Sequence, residues 1–159
     1  MDTLNPILLV EDSSMDVELI TAALEDARVA NPVIVMRDGA KALEYLRRHV
    51  TVGDASYPAV ILLDIKMPRI SGIELLSIIK ADPTLRQLPI VVLTSSREQP
   101  DISECYRLGA NAYVVKPVES AQFFEAVKAV GRFWAVVNQP PESKKGEEGS
   151  CAVAAAGRV

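Results

Sequence analysis

Short apolar runs recur along the chain at residues 7–10, 33–36, 59–63, 90–93 and 112–115. Most are rich in β-branched residues, and none alternates apolar with polar positions. That pattern predicts five strands covered on both faces, as in a parallel sheet. Between the runs the period becomes helical. Val17, Ile20, Leu24 and Ala27 form an apolar stripe, with Asp16, Glu18, Thr21 and Glu25 opposite. Asp38-Gly39-Ala40 opens a second helix that turns Leu43 and Leu46 inward. Ser71 and Glu74 have capping-box spacing ahead of Leu75, Leu76 and Ile79. Pro100 fits the first turn of a fourth helix, and Gly109 fits the position just past its end. A fifth helix is expected over residues 119–137. Five strand–helix pairs with right-handed crossovers predict a doubly wound α/β domain with strand order 2-1-3-4-5.

Composition changes near residue 139, where Gln139-Pro140-Pro141 opens a stretch rich in Pro, Gly and charge. This divides the 159 residues into one domain, 1–139, and a tail, 140–159, too short and polar to be an effector. Lys144, Lys145 and Arg158 offset Glu142, Glu147 and Glu148, so the net charge of −4 belongs to 1–139. That acidic balance, with a pI of about 5.1, leaves no electrostatic footprint for nucleic acid. No run reaches the roughly 18 apolar residues of a membrane span, and the start has no secretory pattern. Cys105 and Cys151 make no disulfide framework, so two free thiols in a reducing cytoplasm are expected.

Four of the five predicted strands end in side chains foreign to a core: Glu11-Asp12, Asp64, Thr94-Ser95-Ser96 and Lys116-Pro117. In open α/β sheets, ligands bind beyond the carboxyl ends of the strands at the switch point. On the order 2-1-3-4-5, Asp12 and Asp64 flank that point. A single Asp or Ser after a strand is commonly the cap of the next helix, and a single Lys a solvated charge. Together, however, three carboxylates on one rim repel each other, by about 4 kcal/mol per pair at 4 Å and an effective dielectric of about 20. Glu11, Asp12 and Asp64 with Lys116 sum to −2. A Mg²⁺ ion would bring the site to neutrality, and hard oxygen ligands suit it.

These motifs carry a family resemblance. Glu11-Asp12, Leu63-Asp64-Ile65-Lys66-Met67-Pro68, Leu93-Thr94-Ser95 and the run from Gly109 to Pro117 resemble a response-regulator receiver domain over about residues 5–137. Within that family, Thr94-Ser95-Ser96-Arg97-Glu98, Tyr106-Arg107-Leu108-Gly109-Ala110-Asn111 and Val114-Val115-Lys116-Pro117-Val118 are most similar to single-domain regulators paired with bacterial and cyanobacterial phytochromes.

The resemblance implies that Asp64 is the phosphoacceptor for a sensor histidine kinase, in this subgroup a phytochrome kinase. It implies Glu11, Asp12, Asp64 and the backbone carbonyl of Lys66 as ligands of Mg²⁺. Lys116 would pair with the phosphoryl oxygens across a cis Lys116–Pro117 bond. Thr94 would hydrogen-bond the phosphoryl group, Tyr113 would change rotamer with it, and small Ser95 would leave room for it. Glu11 stands where the family more often has Asp. Lys66 stands two residues past the nucleophile, where its ammonium could bridge to Glu11 or to the phosphoryl group and hinder attacking water.

Other readings fit less well. A phosphatase of the haloacid dehalogenase type needs an acid at position 66, which is Lys. A flavodoxin-like binder needs a Gly- and hydroxyl-rich loop where Glu11-Asp12-Ser13-Ser14 stands. A pseudo-receiver, binding partners without phosphorylation, would not need the five-part site. For output, Phe123, Val127, Val130 and Trp134 form one stripe of the last helix, and Ala126, Ala129, Phe133 and Val137 a second. A helix packed on a sheet buries one stripe, so the second predicts an interface. A homodimer through the fourth helix, fifth strand and fifth helix is expected, with Tyr106, Tyr113, Phe133 and Trp134 as candidate contacts. His49 is expected to be a helix-end charge.

Overall fold

All five apolar runs join one parallel sheet in a computed structural model that describes residues 4–51 and 57–139. The strands are β1 (Ile7–Val10), β2 (Val33–Met36), β3 (Val60–Leu63), β4 (Ile90–Thr94) and β5 (Ala112–Val115). Their order is β2-β1-β3-β4-β5, as expected for a doubly wound domain. β1 pairs on both sides, Ile7 with Val33 and with Val60. β4 runs one residue further than its apolar run because Thr94 still pairs with Val115.

The absence of polar alternation now has its cause. Along the buried strands, Leu8, Val10, Ile61, Leu63, Ile90 and Val92 face one core layer. Ile7, Leu9, Val60, Leu62, Val91 and Leu93 face the other. Each such side chain removed from water contributes about 1.5–3 kcal/mol. The outer strands β2 and β5 are half-buried throughout.

The helices are α1 (Ser14–Asp26), α2 (Gly39–Thr51), α3 (Gly72–Ala81), α4 (Gln99–Leu108) and α5 (Ser120–Gly131). Ser13 caps α1 by accepting the Asp16 N–H, and Ser71 caps α3 by accepting the Glu74 N–H. Pro100 sits in the first turn of α4. Gly109 ends that helix at φ 107°, a left-handed conformation that favours glycine. The expected single helix over 119–137 is divided: α5 stops at Gly131 and a π-helical segment, Arg132–Val137, follows. Apolar spacing does not separate the two, since Trp134 and Ala135 of the second still pack against the core layer that holds Phe123 and Val127. The tail, 140–159, lies outside the described residues. Among the described residues no helix is long and apolar enough to cross a membrane.

One close approach sets the floor of the rim. The Gly72 N–H donates to the Ile65 carbonyl at 3.2 Å. A Cβ on Gly72 would stand 2.2 Å from the Asp64 carbonyl oxygen and 2.5 Å from Ile65 Cα. Backbone on both sides cannot yield cheaply. Gly72→Ala is therefore expected to lower stability by about 2–3 kcal/mol, read as a shift in the urea midpoint at unchanged slope.

Candidate functional site

The ladder hydrogen bonds continue one residue past the strands. The Glu11 N–H reaches Met36 O at 3.0 Å, Asp64 N–H reaches Val10 O at 3.0 Å, and Lys116 N–H reaches Thr94 O at 2.7 Å. This brings the first polar residue after β1, β3 and β5 to one level of the rim. Glu11 and Asp64 are buried and Asp12 is exposed. A carboxylate oxygen from each lies within 4.8 Å of the others, a set that could hold a metal ion. The oxygen-only donors and the exposed Asp12 suit a hard divalent cation that keeps some water.

Backbone amides orient two of the three. Glu11 Oε1 accepts the Ser13 N–H at 3.1 Å, and Asp64 Oδ1 accepts the Lys66 N–H at 3.1 Å. Lys116 supplies the counter-charge. Its Nζ donates to Glu11 Oε2 at 2.7 Å and to Asp16 Oδ2 at 2.8 Å, and lies 3.6 Å from Asp64 Oδ2.

Asp16 is a residue the sequence reading placed only on the polar face of the first helix. Its signal was present: it stands four residues after Asp12, in the first turn of α1. Its inclusion changes the charge count. Four carboxylates against one ammonium give −3, not −2, in the metal-free site.

These groups perturb one another. Burial pushes the Glu11 carboxyl up to about 7 from its ordinary 4.5; the Lys116 hydrogen bond opposes this, and the Asp64 charge adds to it. Burial also pulls the Lys116 ammonium down, but hydrogen bonds to Asp16 and Glu11 and the charge of Asp64 outweigh it. The net effect is to hold Lys116 above its usual value.

The Lys116–Pro117 bond is trans, against the expectation of a cis bond: no described residue has a cis peptide. Trans is the lower-energy isomer by about 0.5–1 kcal/mol. Lys116 meets its carboxylates with that bond trans.

The β4 end forms a second cluster. Thr94 is fully buried and its Oγ1 accepts the Ser96 N–H at 3.4 Å. Ser95 is exposed beside it. Ser96, rather than capping α4, donates its hydroxyl to Asp101 Oδ2 at 2.6 Å and accepts the Glu98 N–H at 3.3 Å. The Tyr113 hydroxyl donates to Ser96 O at 3.0 Å. Lys66 Nζ lies 4.0 Å from Asp101, not at Glu11. The sequence placed Ser96 at the strand end without this role and passed over Asp101, because short polar side chains near a helix start resemble ordinary caps.

Of the expected interface residues, Tyr106 and Phe133 are exposed, at 51% and 49%. Tyr113 and Trp134 are half-buried against the two core layers. Val118, Val136 and Val137 are exposed on the same stretch of chain. The Cys105 thiol is free and buried, and burial, with the charges of Asp101 and Glu104, pushes it up to about 11. Cys151 lies outside the described residues. His49 packs against Tyr45 near the end of α2, with ring centres 4.3 Å apart and planes tilted by 43°.

Comparison with known proteins identifies the arrangement. A profile of the response regulator receiver domain matches residues 7–128. The response regulator Rcp1 of Synechocystis sp. is 35% identical over 136 residues, spanning 84% of this chain and 92% of that protein. The Mn²⁺-bound structure of Rcp1 has a TM-score of 0.78 at 33% identity, over 87% of this chain and 99% of that one. The phosphorylated cyanobacterial phytochrome response regulator RcpA matches with a TM-score of 0.80 and 40% identity, over 87% and 99% of the two chains. The bacteriophytochrome response regulator RtBRR is 49% identical with a TM-score of 0.67, over 96% and 95%. With the acidic rim, the lysine and the threonine standing where the sequence predicted them, this chain belongs to the response regulator receiver family.

Proposed function

We propose that the chain is a single-domain response regulator that accepts a phosphoryl group on Asp64 from the phosphohistidine of a sensor histidine kinase. One observation carries the reading: a buried Asp64 carboxylate stands within metal-sharing distance of Glu11 and Asp12 and 3.6 Å from the Lys116 ammonium. Asp64 Oδ2 is the oxygen nearest Lys116, and Oδ1 is tied to the Lys66 amide. In the transfer, one Asp64 oxygen forms the new P–O bond as the P–N bond to the histidine breaks. The electron pair stays on the imidazole nitrogen, which takes a proton from solvent. Such transfer depends mainly on positioning and charge neutralisation. Glu11, Asp12, Asp64 and the Lys66 carbonyl would hold Mg²⁺, which supplies positive charge to the phosphoryl oxygens. Lys116 binds a phosphoryl oxygen, Thr94 donates its hydroxyl to another, and exposed Ser95 leaves the approach open. The Mn²⁺-bound Rcp1 structure supports the metal, and the phytochrome regulators among the relatives support a phytochrome as the kinase. A module that binds partners without phosphorylation has no use for this set of groups.

Output then runs through protein contact. Tyr113, hydrogen-bonded to Ser96 two residues past Thr94, links the site to α4 and β5. A homodimer through α4, β5 and the α5 end would cover Tyr106, Phe133, Val136 and Val137.

Four outcomes follow. With acetyl phosphate and Mg²⁺, intact mass spectrometry should show one added phosphoryl group, absent in Asp64→Asn; modification that persists in the variant rejects the reading. Glu11 must lose its proton to bind a cation, so Mn²⁺ affinity should rise roughly tenfold from pH 6 to pH 8, and Glu11→Gln should bind weakly with no such slope. In the metal-free protein the same carboxyl contributes stability in full below about 4.5, and this is lost as pH rises through about 7, because the folded form holds the proton longer. Sedimentation equilibrium should report a dimer that Phe133→Glu dissociates; a monomer with and without beryllofluoride counts against the interface.

A further inference from the structure

An ammonium has three N–H donors and no acceptor. Lys116 spends one on Glu11 Oε2 and one on Asp16 Oδ2, at 2.7 and 2.8 Å. Asp64 Oδ2, at 3.6 Å, is beyond hydrogen-bond length. Asp16 stands apart from the metal-capable set, which is Glu11, Asp12 and Asp64. Its backbone belongs to the first turn of α1, fixed by the Ser13 cap.

We infer that Asp16 is a positioning residue: it tethers the Lys116 ammonium beside Asp64 when Glu11 turns to a divalent ion. This deepens the phosphoacceptor reading and rests on it. Glu11 Oε1 already accepts the Ser13 N–H, and Oε2 accepts Lys116. Once Glu11 shares its lone pairs with a cation, it holds the ammonium less well. Lysine sits on a flexible four-carbon stem and is a compact point charge. Without a second tether it would settle on Asp64 itself, neutralising the attacking oxygen, or leave for solvent. Asp16 gives it an anion that takes no part in the transfer and is anchored to a different element. The third N–H is then left pointing toward Asp64, where a phosphoryl oxygen arrives. A helix-dipole role for Asp16 would also stabilise α1, but it would act with or without Lys116.

The test is a double-mutant cycle on beryllofluoride affinity at saturating Mg²⁺, measured by titration calorimetry. Asp16→Ala should weaken binding about tenfold, the loss of one charged hydrogen bond, and lower Mn²⁺ affinity without beryllofluoride by a smaller factor, because one negative charge leaves the site. Lys116→Ala should weaken binding at least as much, and adding Asp16→Ala to it should change nothing further. Asp16→Asn keeps an oxygen acceptor, should fall between wild type and Asp16→Ala, and carries the same cycle if Asp16→Ala does not fold. Unchanged affinity in Asp16→Ala, or an undiminished effect of Asp16 in the Lys116→Ala background, overturns the inference alone. Wild-type protein that takes no beryllofluoride, or an Asp64→Asn variant that binds it equally, overturns the phosphoacceptor reading and this inference with it.

Discussion

The rim of the sheet is organised around one ammonium. Lys116 lies among Glu11, Asp16 and Asp64 with a side chain only 10% exposed. Like charges at about 4 Å repel by about 4 kcal/mol at an effective dielectric of about 20, so buried carboxylates this close need a cation among them. Removing one partner of such a buried pair typically costs about 3–5 kcal/mol, because the other is left uncompensated. The carboxylates come from β1, α1 and β3, and the lysine from beyond β5. The pairs with Glu11 and Asp16 span 105 and 100 residues and tie the outer strand's end to the centre of the sheet. The same contact that makes the acidic rim tolerable is the one a phosphoryl group would draw upon.

Around that fixed point, one wall is rigid and one is held lightly. β1, β3 and β4 are buried end to end, and Gly72 clamps α3 onto the backbone of Asp64 and Ile65. α4 buries Cys105 alone. Its first turn is held by polar links instead, from Thr94 through Ser96 to Asp101, with Tyr113 closing onto the Ser96 carbonyl. Elements with few buried apolar contacts lie at the low-stability end of a fold. A change at Thr94 therefore meets its least resistance in α4, beside exposed Tyr106. The contrast follows from how apolar burial is distributed among the helices.

Much of this was legible in order along the chain. Uninterrupted apolar runs identified the strands because a sheet covered on both faces demands them, and β1, β2 and β5 have the bounds their runs predicted. Ser71, Pro100 and Gly109 marked helix ends through local chemistry that tertiary packing did not override. Glu11, Asp12, Asp64, Thr94 and Lys116 stood out because each followed an apolar run that should have ended in something inert. Asp16 did not stand out, since an acid in a first helical turn is ordinary. The cis Lys116–Pro117 bond was an expectation from resemblance, and the observed trans bond shows that the lysine's reach does not depend on it.

The division between sequence and structure follows the range of the forces. Strand and helix periodicity, caps and the acidic residues at strand ends are properties of neighbouring residues, and the chain alone determined them. What it could not determine were relations between elements. The Asp16 carboxylate on Lys116 is one, the Ser96–Asp101–Tyr113 links are another, and the half-burial of Tyr113 and Trp134 is a third. Each depends on where distant segments meet across the sheet. Electrostatic and hydrogen-bond partners are set by distance in space, and only the packed fold decides that.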